Sequence, residues 1–196
     1  MLTIDRMKQA LRNAQVGIEE QKDTLTDLDR AIGDGDHGIN MSRGFDAVST
    51  ILDEDYDSLG ALSKKVGMTL MSKVGGAAGP LYGSAFVKMA TKFGDATEAD
   101  FGLLKEALQE GSNAIKARGK SEVGQKTMVD VWDPFLEQVQ QGEDYKQKLD
   151  ELVRKTEDMV ATKGRASYFG EKSRGTVDPG ALSSSILLAA IMKEVD

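Results

Sequence analysis

Apolar residues recur at helical spacing along nearly the whole chain, and no stretch alternates with the period of two that a half-buried strand needs. Ile4, Met7, Leu11, Ala14 and Ile18 share one face, and residues 24–32 make a short second helix with Asp29 near its end. Met41, Phe45, Val48 and Leu52 mark a third helix, and Leu59, Leu62, Val66, Leu70 and Val74 a fourth. Pro80 suits the first position of a fifth, which carries Tyr82, Phe86, Met89 and Phe93. Leu104, Ala107, Leu108 and Ile115 lie along a sixth. The seventh has the cleanest pattern, with Met128, Val131, Trp132, Phe135, Leu136 and Val139, but it must absorb Pro134 or kink there. Leu149, Leu152, Val153, Thr156 and Val160 make an eighth, and a last helix covers residues 180–195. The pattern predicts a single all-α domain over residues 1–196, a barrel or bundle of about eight antiparallel up-and-down helices.

The connections separate into two kinds. Residues 33–38, 75–80, 119–127 and 162–179 are rich in glycine or charge, whereas 53–57, 94–100 and 141–144 are plain acidic links. The two kinds alternate along the chain. Short loops join antiparallel helices, so alternate loops share an end of a bundle. All four unusual loops are therefore expected at one end, which makes that end the functional one.

Residues 29–40 are the densest of these in chemistry. Asp29, Asp34 and Asp36 stand within eight residues, interleaved with Gly33, Gly35 and Gly38 and with His37, the only histidine. Crowded carboxylates repel unless a cation neutralises them, although an acidic surface loop is the plainer reading. The spacing Gly33, Gly35, Gly38 matches a dinucleotide fingerprint, but that motif follows a strand and here a helix precedes it. Residues 119–121 resemble the end of a P-loop, but Ala114 stands where its earlier glycine belongs. A calcium loop from Asp34 fails at Ile39 and Phe45. A dehalogenase-type Asp-x-Asp would need an apolar strand before it. Magnesium remains, since it takes a few carboxylates plus water and phosphate oxygens. The Gly75–Gly79 turn then offers backbone N–H groups at a helix start, a ready anion site, unless it is only a tight turn before Pro80. The long loop 162–179 holds Lys163, Arg165, Lys172 and Arg174 around Tyr168 and Phe169. It reads either as a lid, with cations for phosphate and aromatics for a base, or as a solvated basic loop.

Composition excludes several other classes. With 40% apolar residues the chain can bury a core, and with no cysteine it has no disulfide, thiolate metal site or cysteine nucleophile. A net charge of −7 opposes nucleic acid and anionic membrane surfaces. The N-terminus shows no apolar signal region, and the longest apolar run, residues 186–192, is far short of the ~20 needed to span a bilayer. A cytoplasmic protein without membrane or nucleic-acid partners is expected.

Taken together, the motifs resemble a known family. Leu28-Asp29 with Ile32-Gly-Asp-Gly-Asp-His-Gly38 and Asn40, Gly75-Gly76 with Gly79-Pro80-Leu81-Tyr82-Gly83, Lys126-Thr127-Met128 with Asp130, Lys163-Gly-Arg-Ala-Ser-Tyr168 with Gly170-Glu171, and Asp178-Pro179-Gly180 run in the family's order through almost the whole chain. They look like the nucleotide-binding L subunit of bacterial dihydroxyacetone kinase of the type that depends on the sugar phosphotransferase system. The resemblance implies an all-α barrel with the nucleotide, ADP or ATP, at one rim. It implies two Mg2+ ions held by Asp29, Asp34 and Asp36 against the nucleotide phosphates. It further implies phosphate contacts from His37, Gly38, Ile39, Asn40, Ala77 and Ala78, and contacts to the rest of the nucleotide from Gly119, Met128, Arg165, Asp178, Pro179 and Gly180. His37 is expected beside the phosphates, bonding one or orienting an aspartate, and not as a general base, because positioning and charge neutralisation dominate such transfers. No residue is expected to be a covalent intermediate.

In this family the L subunit passes the γ-phosphoryl of ATP to dihydroxyacetone held by a separate K subunit. A phosphohistidine on an M subunit then rephosphorylates the retained ADP. A homodimer is compatible with the resemblance. Three positions depart from the pattern: Ala78 where serine is usual, Gln125 where an acid is usual, and Thr176 where histidine is usual. Two other readings remain compatible with the same motifs, a non-catalytic nucleotide-binding module that signals to a regulator and a related kinase domain with another acceptor.

Overall fold

Most of the helices begin where the chain supplies a side-chain cap or a glycine turn. In the computed structural model, which describes residues 1–195, Thr3 Oγ1 accepts from Arg6 N at 3.2 Å and opens α1 (Ile4–Glu20). The chain bends only at Gln21, whose N–H still bonds Gly17 O, and α2 (Lys22–Ile32) extends the same stave. After the acidic loop comes α3 (His37–Ile51). Ser58 caps α4 (Leu59–Lys73), and the glycine turn leads into α5 (Ala78–Phe93). Asp100 accepts from Leu103 N at 2.7 Å to cap α6 (Phe101–Gly119). α7 (Val129–Gln138) continues on both sides of Pro134. Asp144 caps α8 (Tyr145–Lys155), and Asp178 caps α9 (Pro179–Lys193).

Two elements are present that the sequence reading did not expect. Leu2–Thr3 (β1) and Glu98–Ala99 (β2) form a small antiparallel pair, too short to show an alternating pattern. Residues Arg165–Ser173 of the long loop coil into a 3-10 helix.

The helices follow one another round a ring. From α3 to α9 each packs on its chain neighbours, and α9 returns to α1, closing a barrel whose staves are α1 with α2 and then α3 to α9. One continuous apolar core fills it, with Phe45, Tyr82, Phe86, Trp132 and Phe135 fully buried. α4 and α5 lie especially close, because Gly67 and Gly83 face each other where a Cβ on Gly67 would stand 2.8 Å from Gly83 O. The plain connectors and both chain ends meet at one rim, where β1 pairs β2, Leu59 N donates to Ala96 O, and Arg6 reaches Glu194 O. The unusual loops therefore occupy the other rim. Among the described residues no helix is long and apolar enough to cross a membrane.

A buried lysine ties that second rim together. Lys126 is 1% exposed, and its Nζ donates to Thr156 O at 2.5 Å, Thr176 O at 2.6 Å and Met159 O at 3.1 Å. Two separate segments, at residues 156–159 and at Thr176, thus meet on the ammonium group of a third. This also explains why α8 ends at Lys155, short of the expected Val160: carbonyls that could have continued the helix turn inward to Lys126 instead. Thr156 Oγ1 completes the junction by accepting Asp178 N at 3.0 Å, which fixes where α9 starts. Burial lowers the Lys126 pKa, and the Asp178 and Glu157 carboxylates pull it back up. Replacing Lys126 by Met strands those carbonyls. Lys126→Met is expected to lower the free energy of unfolding by about 2–4 kcal/mol, read as an earlier urea midpoint at unchanged slope. A loss below about 0.5 kcal/mol would show that the loops hold without it.

Candidate functional site

The four unusual loops converge on one cleft, lined from residues 29–40, 75–81, 126–128, 163–166 and 178–180. It lies at the rim where α3, α5, α7 and α9 begin. An α-helix start carries partial positive charge and up to four unpaired N–H groups. The residues just ahead of α3, α5 and α7 make no side-chain cap. Asp29 takes the His37 N–H, and at α7 the Val129, Asp130 and Val131 N–H groups are taken by Thr127 Oγ1, Thr127 O and Met128 O, so the N–H groups open to a ligand are those at the starts of α3 and α5. Gly76, at φ 65°, makes the left-handed turn that aims the α5 start at the cleft. α9 is capped by Asp178 Oδ2 on Ala181 N at 2.8 Å.

Into this positive surround the chain inserts three carboxylates. Asp29, Asp34 and Asp36 each offer an oxygen, all within 4.8 Å of one another. Asp29 comes from the last turn of α2, the other two from the loop. Asp29 Oδ2 accepts the N–H groups of Asp36 at 2.8 Å and His37 at 3.1 Å, so it anchors the loop and orients itself. Gly38 lets the loop close onto α2, since a Cβ there would collide with Lys22 O and Thr26 Oγ1. Three hard oxygens at this spacing suit Mg2+, which keeps its other positions for water and ligand oxygens. Arg165 reaches across from the long loop, with Nη1 at 3.1 Å from Asp34 Oδ2. Both partners are substantially exposed, so this is a surface pair that a ligand can readily exchange.

His37 sits at the α3 start, half-buried, with Nε2 at 2.9 Å from Ser183 Oγ on α9. Burial lowers its pKa, while the Asp29, Asp36 and Asp34 carboxylates act the other way. Asn40 is buried, and its Oδ1 accepts from Arg43, whose Nε donates to Lys73 O, linking α3 to the end of α4. Asp130 accepts from Thr127 N at 2.8 Å and Gly124 N at 2.5 Å, and so folds the loop ahead of α7.

Of the residues singled out from sequence, Asp29, Asp34, Asp36, His37, Asn40, Ala77, Ala78, Met128, Arg165, Asp178, Pro179 and Gly180 line the cleft. Gly38 is buried behind it, and Ile39 is 49% exposed with its side chain outside the lining. Gly119 ends α6 beside Leu81, one layer back. The long loop contributes Lys163 and Arg165, but Tyr168 is 89% exposed and neither it nor Phe169 lines the cleft. Apolar lining comes instead from Ile32, Leu81 and Met128. Sequence reasoning named Ile32 and Leu81 only within longer motifs and gave neither a place in the cleft. It also missed Ser183 as the partner of His37, since a pair 146 residues apart leaves no local signal.

Comparison with known proteins adds the family. Residues 31–193 match the model described as the DAK2 domain. The chain is 44% identical over 196 residues to the "PTS-dependent dihydroxyacetone kinase, ADP-binding subunit DhaL" of Lactococcus lactis, covering 100% of both. It is 46% identical over 177 residues to the "PEP-dependent dihydroxyacetone kinase 1, ADP-binding subunit DhaL" of Listeria innocua, covering 90% of this chain and 89% of that one. Its fold matches the crystal structure of the dihydroxyacetone kinase from C. freundii in complex with AMP-PNP and Mg2+, with TM-score 0.75 and 21% identity, over 95% of this chain and 33% of that one.

Asp178 gives the site a pH signature. Burial pushes its carboxyl up to about 7, helped by Asp130 and Asp29 and opposed by the Ala181 N–H and Lys126. The folded chain then holds this proton over a range where the unfolded chain has released it. Stability contributed at this position therefore falls as pH rises from about 4 to about 7 and levels off above. Asp178→Asn, which keeps a capping oxygen, should remove this fall and gain a few kcal/mol over wild type at pH 8. Each pH unit by which the folded carboxyl holds its proton longer than the unfolded one is worth about 1.4 kcal/mol. Urea unfolding from pH 4 to 8 without nucleotide or metal checks this. Parallel profiles for the two proteins would contradict it.

Proposed function

This chain belongs to the DAK2 domain family, and we propose on that premise that it is the ADP-binding, phosphoryl-transferring subunit of a dihydroxyacetone kinase that draws on the sugar phosphotransferase system. The γ-phosphoryl of ATP passes to a hydroxyl of dihydroxyacetone held by a separate K subunit. The P–O bond to ADP breaks as the bond to the acceptor forms. The retained ADP regains a phosphoryl group from a phosphohistidine M subunit. The observation that carries this reading is the coincidence on one cleft of a three-carboxylate cation site with four helix starts. A polyphosphate with bound Mg2+ is the ligand that satisfies both at once.

The residues divide the work. Asp29, Asp34 and Asp36 would hold two Mg2+ ions, which would neutralise phosphate charge. The open N–H groups at the starts of α3 and α5, with His37, Asn40, Ala77 and Ala78, hold the phosphates. Leu81 and Met128 give the base an apolar wall, and residues 178–180 close the far side. Arg165 exchanges Asp34 for a phosphate oxygen when the nucleotide enters. This chemistry is positioning and charge neutralisation, which phosphoryl transfer needs most. Two of the family departures lie behind the cleft. Gln125 Oε1 accepts Glu122 N at 2.9 Å, and Thr176 supplies a carbonyl to Lys126. Ala78 lies in the lining and lacks only a hydroxyl. A cytoplasmic site of action accords with a partner that carries phosphohistidine.

Purified chain, Mg2+ and ATP with dihydroxyacetone should give no substantial product until a K subunit is added. Extraction of the purified chain should release ADP. In the reconstituted system Asp34→Asn should reduce turnover by roughly 100-fold or more while leaving the thermal midpoint nearly unchanged. Full turnover by the chain alone would overturn the divided reaction, and an Asp34→Asn protein with wild-type activity would remove the metal site from it.

A further inference from the structure

Behind His37 a chain of buried hydrogen bonds runs into the core. His37 Nε2 lies 2.9 Å from Ser183 Oγ, Ser183 Oγ lies 2.7 Å from Tyr82 Oη, Tyr82 Oη lies 2.8 Å from Ser184 Oγ, and Trp132 Nε1 lies 3.0 Å from Ser184 Oγ. Tyr82, Trp132, Ser183 and Ser184 are fully buried, so bulk water does not reorder them. Four helices, α3, α5, α7 and α9, supply the members.

The direction of this chain follows from its far end. The indole N–H of Trp132 can only donate, so Ser184 must accept from it. The single Ser184 proton then goes to Tyr82, its other partner. Tyr82, with its oxygen occupied as an acceptor, donates to Ser183 at 2.7 Å in preference to Gly180 O at 3.4 Å. Ser183 now has one proton and two acceptors within reach, His37 Nε2 at 2.9 Å and Gly180 O at 3.2 Å. The shorter contact takes it. Nε2 is then the acceptor, and the ring proton resides on Nδ1. His37 itself lines the cleft, and among the described residues Nδ1 has no protein partner.

We propose that the chain Trp132–Ser184–Tyr82–Ser183 holds His37 as the Nδ1–H tautomer, so that the ring presents a fixed hydrogen-bond donor to the transferring phosphoryl group. Ser183 and Tyr82 are thus positioning residues that act through His37. This rests on the functional reading above for the phosphate, but the tautomer itself is a property of the free protein. A donor that is already oriented stabilises developing phosphate charge without reorganising at the moment of transfer. The opposite tautomer would point a lone pair at an anion.

The chain contains one histidine, so its two ring nitrogens can be read without ambiguity by 15N NMR of histidine-labelled protein. The wild type should show Nδ1 protonated and Nε2 bare. Ser183→Ala should introduce the Nε2–H species and weaken Mg–ADP binding by roughly three- to tenfold. Tyr82→Phe, which removes the hydrogen bond that Ser183 Oγ accepts and so lets that oxygen accept from Nε2–H instead, should shift the ring in the same direction. It carries the test if Ser183→Ala does not fold. Ser185→Ala, one residue further along α9 and outside the chain, should leave the spectrum as in wild type. A wild-type ring protonated on Nε2, or a ring unchanged in both chain variants, overturns the proposal. Because the spectra are taken on nucleotide-free protein, failure of the functional reading would show separately, as absence of Mg–ADP binding by the wild type.

Discussion

The carboxylate of Asp29 accepts the N–H groups of Asp36 and His37, and the rest of the site is arranged around that contact. One oxygen ties the end of α2 to the start of α3, which sets the loop between them and brings Asp34 and Asp36 beside Asp29. Three negative charges at this distance oppose one another, and in an ordinary loop they would splay apart. Here the backbone holds them, through Gly38 packed on α2 and through the helix start that Asp29 faces. The repulsion that remains is what a divalent cation relieves. The three carboxylates are thus held together by a geometry that covalent connection and backbone hydrogen bonds enforce.

The barrel does the corresponding work for the anion. Since helices alternate in direction, every second one begins at the same rim, and α3, α5, α7 and α9 all do so. Each adds a partial positive charge where a phosphate would lie. A chain of net charge −7 therefore presents a local anion site without a cluster of lysines. Lys126, at the heart of this rim, is buried and engaged by carbonyls. Its ammonium group holds the loops that carry Met128 and the start of α9. A cation that does face the cleft is Arg165, paired with an exposed aspartate that it can leave.

The fold was largely legible because helical periodicity and alternating connectors are local or additive properties of the chain. Apolar spacing located the helices, and counting loops was enough to put the unusual ones at one rim. Where the periodicity misjudged a boundary, as at the end of α8, a side chain distant in sequence had claimed the carbonyls that the helix would have used. The strand pair escaped because two residues cannot show a period. Within the site, the acidic loop, the glycine turn and Asp-Pro-Gly were legible, since each is a run of neighbours with unusual chemistry. Ile32 and Leu81 stood inside those runs without a sign that their side chains line the cleft, because an apolar residue next to charged or glycine neighbours carries no signal of which way it faces.

What the sequence alone determined is therefore the helical architecture, the end at which the site lies, and the three carboxylates that carry its charge. These follow from nearest-neighbour chemistry and from parity along an antiparallel chain. Only the tertiary structure decided which groups meet across the barrel: Ser183 on His37, Lys126 on the carbonyls of Thr156, Met159 and Thr176, Arg165 on Asp34, and Tyr168 turned outward. Those pairings depend on how far each helix is rotated about its own axis when the ring closes. That rotation is set by packing of the whole core, so no single stretch of residues contains it.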